Sequence, residues 1–562
     1  MNRNTDDHFG NVPSKNMRRS KFKRDCTYST TINAGEIGVM YADEVLPGDT
    51  VKLHLNELIR MTTPIYPVLD NSWIDTYFFF VPRRLVWTHW KEFMGENTTD
   101  AWTQETQYQI PQLTAPEGGW EKGTVAHMIG ARMKTGGISI DACYTRAYTL
   151  IYNEWFRNQN VTEPAELSTG DATTAGSNGT DYVTDLQKGG KLAKAVKYAD
   201  YFTRALPEPQ KGPDIYIPIG LTGMAPVIPS YDGDIDFDTY RKTFPTGTNP
   251  YTKVAPHNAD NSDWGTSSGN MYLQGQDGLI HEKSGASGGG EFVGFKNMYA
   301  DLSELPESSG AQATINQLRQ AFAVQRMYEL DARGGTRYTE ILRMHFGVLS
   351  PDGRQQRPEY LGGKRVPINI KDVIQNSSTD ATTPQGNTAG MSKTIDSTDM
   401  FTKSFTEHGI LMGLFVIRTE HTYQQGIPRI LSRKNRMDFY WPALANIGEM
   451  YIKNKELYAQ GTDEDEEAFG YQEAWSEYRY GINRITNELN SDYDTPLDSW
   501  TYADKYETLP TLSDEWIRET DANVARTLAI NSQDQFLCNF YFDQTWIRPM
   551  PIYSVPSLTG WN

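Results

Sequence analysis

The stretch QFLCNFYFDQTW, residues 535–546, sets Phe536, Cys538, Phe540 and Phe542 on one side of an extended chain and Asn539 and Asp543 on the other. A period of two is the signature of a strand with one face buried and one wet. The same alternation runs through TVKLHLNEL, residues 50–58, where Val51, Leu53 and Leu55 interleave with Lys52, His54 and Asn56. The LPGD just before it supplies Pro47 and Gly48 for a type II turn. By contrast DTYFFFVP (75–82) and GILMGLFVI (409–417) are continuous apolar runs bounded by breakers, as expected of strands covered on both sides. Strands of these two kinds require two packed sheets or a barrel, so the fold class is mainly β.

Helices are expected only as insertions between strands. TINQLRQAFAVQRMYELDARGG (314–335) has Thr314 and Gln317 at capping-box spacing, Leu318 and Phe322 on one face, and Gly334 and Gly335 as a stop. YTRAYTLIYNEWFRNQN, around Leu150, is a second helical segment. Residues 160–185 and 225–298 are rich in Gly, Ser, Thr, Asn and Asp, the latter ending in SGASGGGEF, and read as surface insertions with some structure of their own. In GGKRVPINI (362–370) the paired glycines predict a tight turn ahead of Lys364 and Arg365, followed by a strand in which Val366, Ile368 and Ile370 alternate.

A chain of 562 residues with 38% hydrophobic and 22% charged residues has the composition of a folded protein with several cores, or one core with large insertions. Its 32 Tyr and 13 Trp are residue types favoured at interfaces and sugar-binding faces. The opening residues lack an apolar stretch of signal-peptide length, and GILMGLFVI is about half of the ~18 residues a membrane span needs, so a soluble cytoplasmic product is expected. Cys26, Cys143 and Cys538 lie far apart and suggest neither a disulfide framework nor a thiolate zinc site.

Motifs that carry chemistry are weak. GASGG (285–289) matches a nucleophile elbow around Ser287 but lacks the strand and helix that strain such a turn. There is no HExxH, Walker A loop or GxGxxG turn. The histidines, among them His54 and His89, are expected to be structural, and the acid run 463–467 in GTDEDEEAFG a solvated face. No catalytic residue, metal or cofactor is expected. Two acids distant in sequence could still form a glycosidase pair, so a β-rich carbohydrate-binding or carbohydrate-active protein is the alternative to a structural role.

The densest local signal is KNMRRSKFKR (15–24), six cations in a chain whose formal charge is -18. Lys15, Arg18, Arg19, Lys21, Lys23 and Arg24, with Phe22 among them and Tyr28 nearby, can neutralise phosphates and offer stacking rings, which suits single-stranded nucleic acid. The competing role is a basic tail that pairs with acidic patches on its own or a neighbouring chain.

DEVLPGDTVKL (43–53), DTYFFFVPRRLVWTHWKEFMGE (75–96), DYFTRALPEPQKGP (200–213), LRQAFAVQRMYELDARGGTRYTEILRMHFGV (318–348), SPDGRQQRPEYLGGKRVPINI (350–370) and FGYQEAWSEYRY (469–480) resemble, in order, signature stretches of the major capsid proteins of microviruses, specifically their gokushovirus branch. Ser20, Phe22 and Arg24 also resemble that family's amino-terminal pattern, from which Lys21 and Lys23 depart. The resemblance implies a single eight-stranded antiparallel jelly roll with long, partly helical insertions, sixty copies of which close into a T=1 shell around circular single-stranded DNA. Its organisation would be a basic arm at 1–30, shell segments at 31–224 and 299–562, and at 225–298 a loop projecting at the threefold axes for host attachment. Tyr231, Phe244, Tyr251, Trp264 and Tyr272 are the contact candidates on that loop. Implied partners are other copies of the chain, the genome, phage scaffolding, DNA-binding and pilot proteins, and a receptor on the bacterial host.

Overall fold

The computed structural model describes residues 18–96, 108–213, 227–231, 255–256, 271–273, 279–282, 293–300, 315–334, 344, 356–377, 379 and 385–553. The chain divides into two compact units, Met1–Lys211 with Tyr328–Asn562, and Gly212–Met327.

Two antiparallel sheets form the centre of the first unit. One sets β1 (Ser20–Lys23) and β2 (Cys26–Ile32) beside β9 (Phe536–Arg548), then β4 (Thr50–Met61) and β7 (Thr394–Ser404). The other orders β6 (Glu359–Pro367), β5 (Ser72–Pro82), β8 (Gly409–Thr419) and β3 (Gly38–Val45). The alternation in QFLCNFYFDQTW is realised in β9, where Phe540 lies opposite Tyr28 on β2 and Glu57 on β4. Inward rings from both sheets meet in an aromatic seam. Phe415 on β8 is 4.9 Å from Phe540, Phe78 on β5 is 5.5 Å from Phe401 on β7, and Tyr41 on β3 is 5.1 Å from Phe542.

The continuous apolar runs become β5 and β8, the central strands of the second sheet, and both are buried along nearly their whole length. Part of their outer side is covered by α1 (Ala142–Ile151), which belongs to the same apolar cluster. Asp141 caps α1 by accepting from the Cys143 amide at 2.8 Å, and it also takes a 2.7 Å bond from Arg83. After Ile151 the helix widens into a π-turn at Tyr152–Phe156. The second expected helix is α2 (Ile315–Gly334); Thr314 lies outside the described residues, and Phe322 is 64% exposed. Among the described residues no helix is long and apolar enough to cross a membrane.

Two local expectations are corrected. Gly362 and Gly363 lie within β6, at a bulge in its pairing with β5, and not in a turn ahead of a strand. Their role is close approach: a Cβ on Gly363 would collide with the carbonyl oxygen of Thr76, and one on Gly362 with that of Met400. The acid run is likewise more than a solvated face. Asp465 is buried and accepts the amides of Gln460 and Gly461 at 2.9 and 2.7 Å, while Glu466 stands 2.6 Å from both Lys453 and Lys455. Bonds from those two lysines hold the Glu466 carboxyl down at about 2.

His54 bonds Asp399 and Ser397, each at 2.9 Å, and His89 bonds Asp171 at 2.9 Å. Among the described residues the most deeply placed histidine is another one. His421, just past β8, has Nδ1 3.0 Å from Asp504 and Nε2 2.9 Å from Glu519, with all three side chains buried. Lys197 adds a 3.2 Å contact to Asp504, and Asn523 donates to the same carboxylate at 2.6 Å. Two cations therefore balance two anions in a buried site beside a second apolar cluster that includes Tyr201, Phe202, Phe469 and Trp516. Burial alone would lower the His421 pKa, but the Asp504 and Glu519 charges overcome it and push it up to about 10.

A folded pKa raised above the ordinary 6.5 contributes stability that is complete below about 6.5 and is lost as pH rises toward about 10. The melting temperature of the unassembled subunit is expected to fall across that window. His421→Gln is expected to flatten this alkaline limb and to cost about 3 to 5 kcal/mol near neutrality, because it strands two buried carboxylates. A wild-type melting temperature that stays level from pH 6.5 to 10 would show that the imidazolium adds nothing.

Candidate nucleic-acid interface

Strand pairing determines which cations of the amino-terminal segment are available. β1 lies antiparallel to the end of β9, with Ser20 opposite Arg548 and Lys23 opposite Thr545. The period of two turns Phe22 toward the core between the sheets, where it is half-buried, and leaves Lys21 and Lys23 exposed. Tyr28 is half-buried as well, its hydroxyl donating to the Met128 carbonyl at 3.3 Å. The stacking role expected of these two rings is therefore corrected: both pack inward rather than standing free beside the cations.

The six cations fall into three groups. Lys15 lies outside the described residues. Lys23 and Arg24 are held by carboxylates of their own chain: Lys23 is 3.0 Å from Asp25 and 3.8 Å from Asp543, and Arg24 is 2.7 Å from Asp43. Hydrogen bonding to Asp25 raises the Lys23 pKa, and the same bond lowers that of Asp25. Arg18, Arg19 and Lys21 are exposed and have no ion-pair partner among the described residues.

Trp546 anchors this corner. It is fully buried, its indole N–H donates to Gln544 at 2.7 Å, and the guanidiniums of Arg24 and Arg548 lie 4.9 and 4.2 Å from its ring centre. Arg548 in turn stands 3.2 Å from Asp49, in the turn that precedes β4. A cavity of about 550 Å³ opens alongside, lined by residues that include Arg24, Cys26, Tyr28, Tyr41 and Asp43. Sequence reading missed Trp546 and Arg548, which lie more than 500 residues from the basic segment and reach it only through the β1–β9 pairing.

Of the loop aromatics, Tyr231 ends the strand Val227–Tyr231 and Tyr272 is central in Met271–Leu273. Both strands belong to one five-stranded sheet with Ala255–Pro256, Leu279–Glu282 and Val293–Ala300, in which Tyr231 pairs with Phe295 and Tyr272 with His281. Phe244, Tyr251 and Trp264 lie outside the described residues.

Comparison with known proteins bears on the chain as a whole. The family model described as "Capsid protein (F protein)" matches residues 10–558. Capsid protein VP1 of Bdellovibrio phage phiMH2K is 38% identical over 98% of this chain and 98% of its own length. Capsid protein VP1 of Spiroplasma virus 4 is 38% identical and that of Chlamydia phage 1 is 37% identical, each over 98% of this chain and 97% of its own length. Similarity of this extent leaves the carbohydrate-active alternative without support: the chain belongs to the phage capsid protein (F protein) family.

Proposed function

We propose that this capsid protein closes as sixty copies into a T=1 icosahedral shell around a circular single-stranded DNA genome, with a single eight-stranded jelly roll as its shell domain. Counting β1 and β2 as one interrupted strand, the two facing sheets have four strands each, which supports the jelly-roll description. The capsid role makes the chain a structural component of the virion and not an enzyme. Scaffolding, DNA-binding and pilot proteins and a receptor on the bacterial surface would complete its set of partners.

One observation carries the assembly proposal. Residues 427–451 present an apolar surface that the single chain leaves open, with Leu431 71% and Met437 67% exposed and Ile430, Phe439 and Tyr440 also exposed. Monomeric soluble proteins rarely expose a patch of this kind. The segment is not loose: Asp438 accepts the amides of Lys434 and Asn435 at 2.7 Å each, and short 3-10 turns form at Arg429–Leu431, Arg436–Asp438 and Pro442–Leu444. Arg433 lies 5.0 Å from the Phe439 ring and Arg436 4.5 Å from that of Trp441. An ordered surface of aliphatic, aromatic and Arg side chains has the composition of an interface core, and a second copy of an acidic chain suits its cations. Leu431→Asp combined with Met437→Asp is expected to abolish particles on a sucrose gradient while the subunit melts within a few degrees of wild type. Particles at wild-type yield would remove this surface from the shell contacts.

The exposed cations of the amino-terminal segment support a contact with the genome. Each phosphate neutralised on a single strand contributes about -0.7 to the slope of log affinity against log salt. Replacing Lys15, Arg18, Arg19 and Lys21 with Gln is therefore expected to flatten that slope by up to about 3, read by anisotropy of a labelled oligonucleotide. An unchanged slope would assign these cations to subunit contacts instead.

For residues 225–298 we propose a projection used in host attachment. A Gly- and Ser-rich insertion buries little apolar surface alone, and trimerisation around a threefold axis would let its aromatics cover one another. Replacing it with a short Gly-Ser linker is expected to yield DNA-filled particles that adsorb poorly to the host. Normal adsorption by such particles would exclude the projection from attachment.

A further inference from the structure

On the outer side of the second sheet lies a cleft of about 340 Å³, at the lower end of the roughly 300 to 1,000 Å³ typical of small-ligand sites. Tyr77 and Phe79 of β5, Trp155 and Phe156 of the π-turn after α1, Val196, Tyr360 of the edge strand β6 and Arg418 of β8 line it. The Trp155, Tyr360 and Phe79 rings form a triangle with centres 5.5 to 5.9 Å apart. Trp155 remains 42% and Tyr360 43% exposed, so this cluster does not close on itself as the seam between the sheets does. Trp155 is also fixed in place, its indole N–H donating to the Pro358 carbonyl at 3.1 Å.

The charge around the cleft is opposite to that of the chain. The Arg357 guanidinium lies 5.4 Å from the Trp155 ring centre, and Arg365 and Arg418 each lie 4.2 Å from that of Tyr198. Asp75 is the buried carboxylate here, and it is already bonded by Arg365, Arg418 and the Tyr198 hydroxyl. Glu359, at the start of β6, is matched by Lys403 at 2.6 Å. Arg418 has little exposed surface, and its buried Nε–H has no acceptor among the described residues. Exposed π faces beside surplus guanidinium charge match a planar ring that carries an anion.

We propose that this cleft holds a nucleotide of single-stranded DNA, the base stacked against Trp155 and Tyr360 and its phosphate facing Arg357 and Arg365. This rests on the genome-enclosing function proposed above and extends it: the amino-terminal cations bind phosphate without regard to the base, whereas the cleft takes the base itself. Stacking on an aromatic platform is tolerant of sequence because every base has a π face. A shell that encloses one genome of arbitrary local sequence needs that tolerance.

The test compares an oligothymidylate with an abasic oligonucleotide of the same length and charge, titrated into the full-length chain and read by anisotropy and tryptophan fluorescence. Wild type is expected to prefer the base-bearing strand by about tenfold, with quenching of tryptophan emission. Trp155→Ala is expected to erase that preference while binding to both strands persists with its salt dependence. Tyr360→Leu and Arg357→Gln, judged alongside circular dichroism and melting, are expected to reduce the preference in folded protein, and they decide the matter if Trp155→Ala does not fold. Equal binding of the two strands by wild type, or a preference that survives these substitutions, overturns the cleft and leaves genome binding standing. Binding of neither strand overturns both, without touching membership of the capsid family. A cleft variant that binds DNA normally but forms no particles would show that the cleft receives a neighbouring copy, which also overturns the proposal.

Discussion

The shell sandwich depends on one long-range pairing: β9, near the carboxyl end, must insert between β2 and β4, near the amino end. Until it does, the first sheet lacks its centre and the rings of Phe540 and Phe542 have nothing to meet. Once it does, these rings close against Phe415 and Tyr41 of the opposite sheet. Each such aromatic pair adds about 0.5 to 1.5 kcal/mol beyond simple burial. Contacts this distant in sequence carry a large loop-closure cost before any gain, so the pairing belongs to the slow part of folding. It also helps to position the basic segment, because β1 pairs with the last residues of β9.

Two different treatments of charge follow from that frame. In the interior charges are held by opposite charges: His421 and Lys197 face Asp504 and Glu519, and Asp75 receives both Arg418 and, from the rim, Arg365, which leaves one positive charge in excess there. These sites tie separate stretches of chain together, and their worth lies in the cost of breaking them. At the surface, Arg lies over rings, as at Trp441, Phe439 and Trp155. A guanidinium over an aromatic ring can still receive a carboxylate or phosphate from outside, which suits surfaces that await a partner.

Much of the fold was legible in the sequence because strand patterning is local. The alternation in 50–58 and 535–546 became β4 and β9, and the uninterrupted runs at 75–82 and 409–417 became the central strands β5 and β8. A helix could likewise be read from residues 315–334. What periodicity cannot supply is the identity of the neighbour. The glycines of GGKRVPINI looked like a turn because a bulged strand and a turn use the same residue, and the deciding atom, the Thr76 carbonyl, is far away in sequence.

The candidate sites show the same division. Charge density alone singled out residues 15–24, but only strand register decided that Lys23 and Arg24 would meet their own carboxylates while Arg18, Arg19 and Lys21 would stay open. The 427–451 surface and the Trp155 cleft gave no sequence signal, since an apolar residue looks the same whether it enters a core or faces outward. By itself the sequence determined the mainly β class, the strand faces and the family. The tertiary structure decided which side chains were left without partners, because satisfaction of a ring or a charge depends on groups brought near by folding and not on neighbours along the chain.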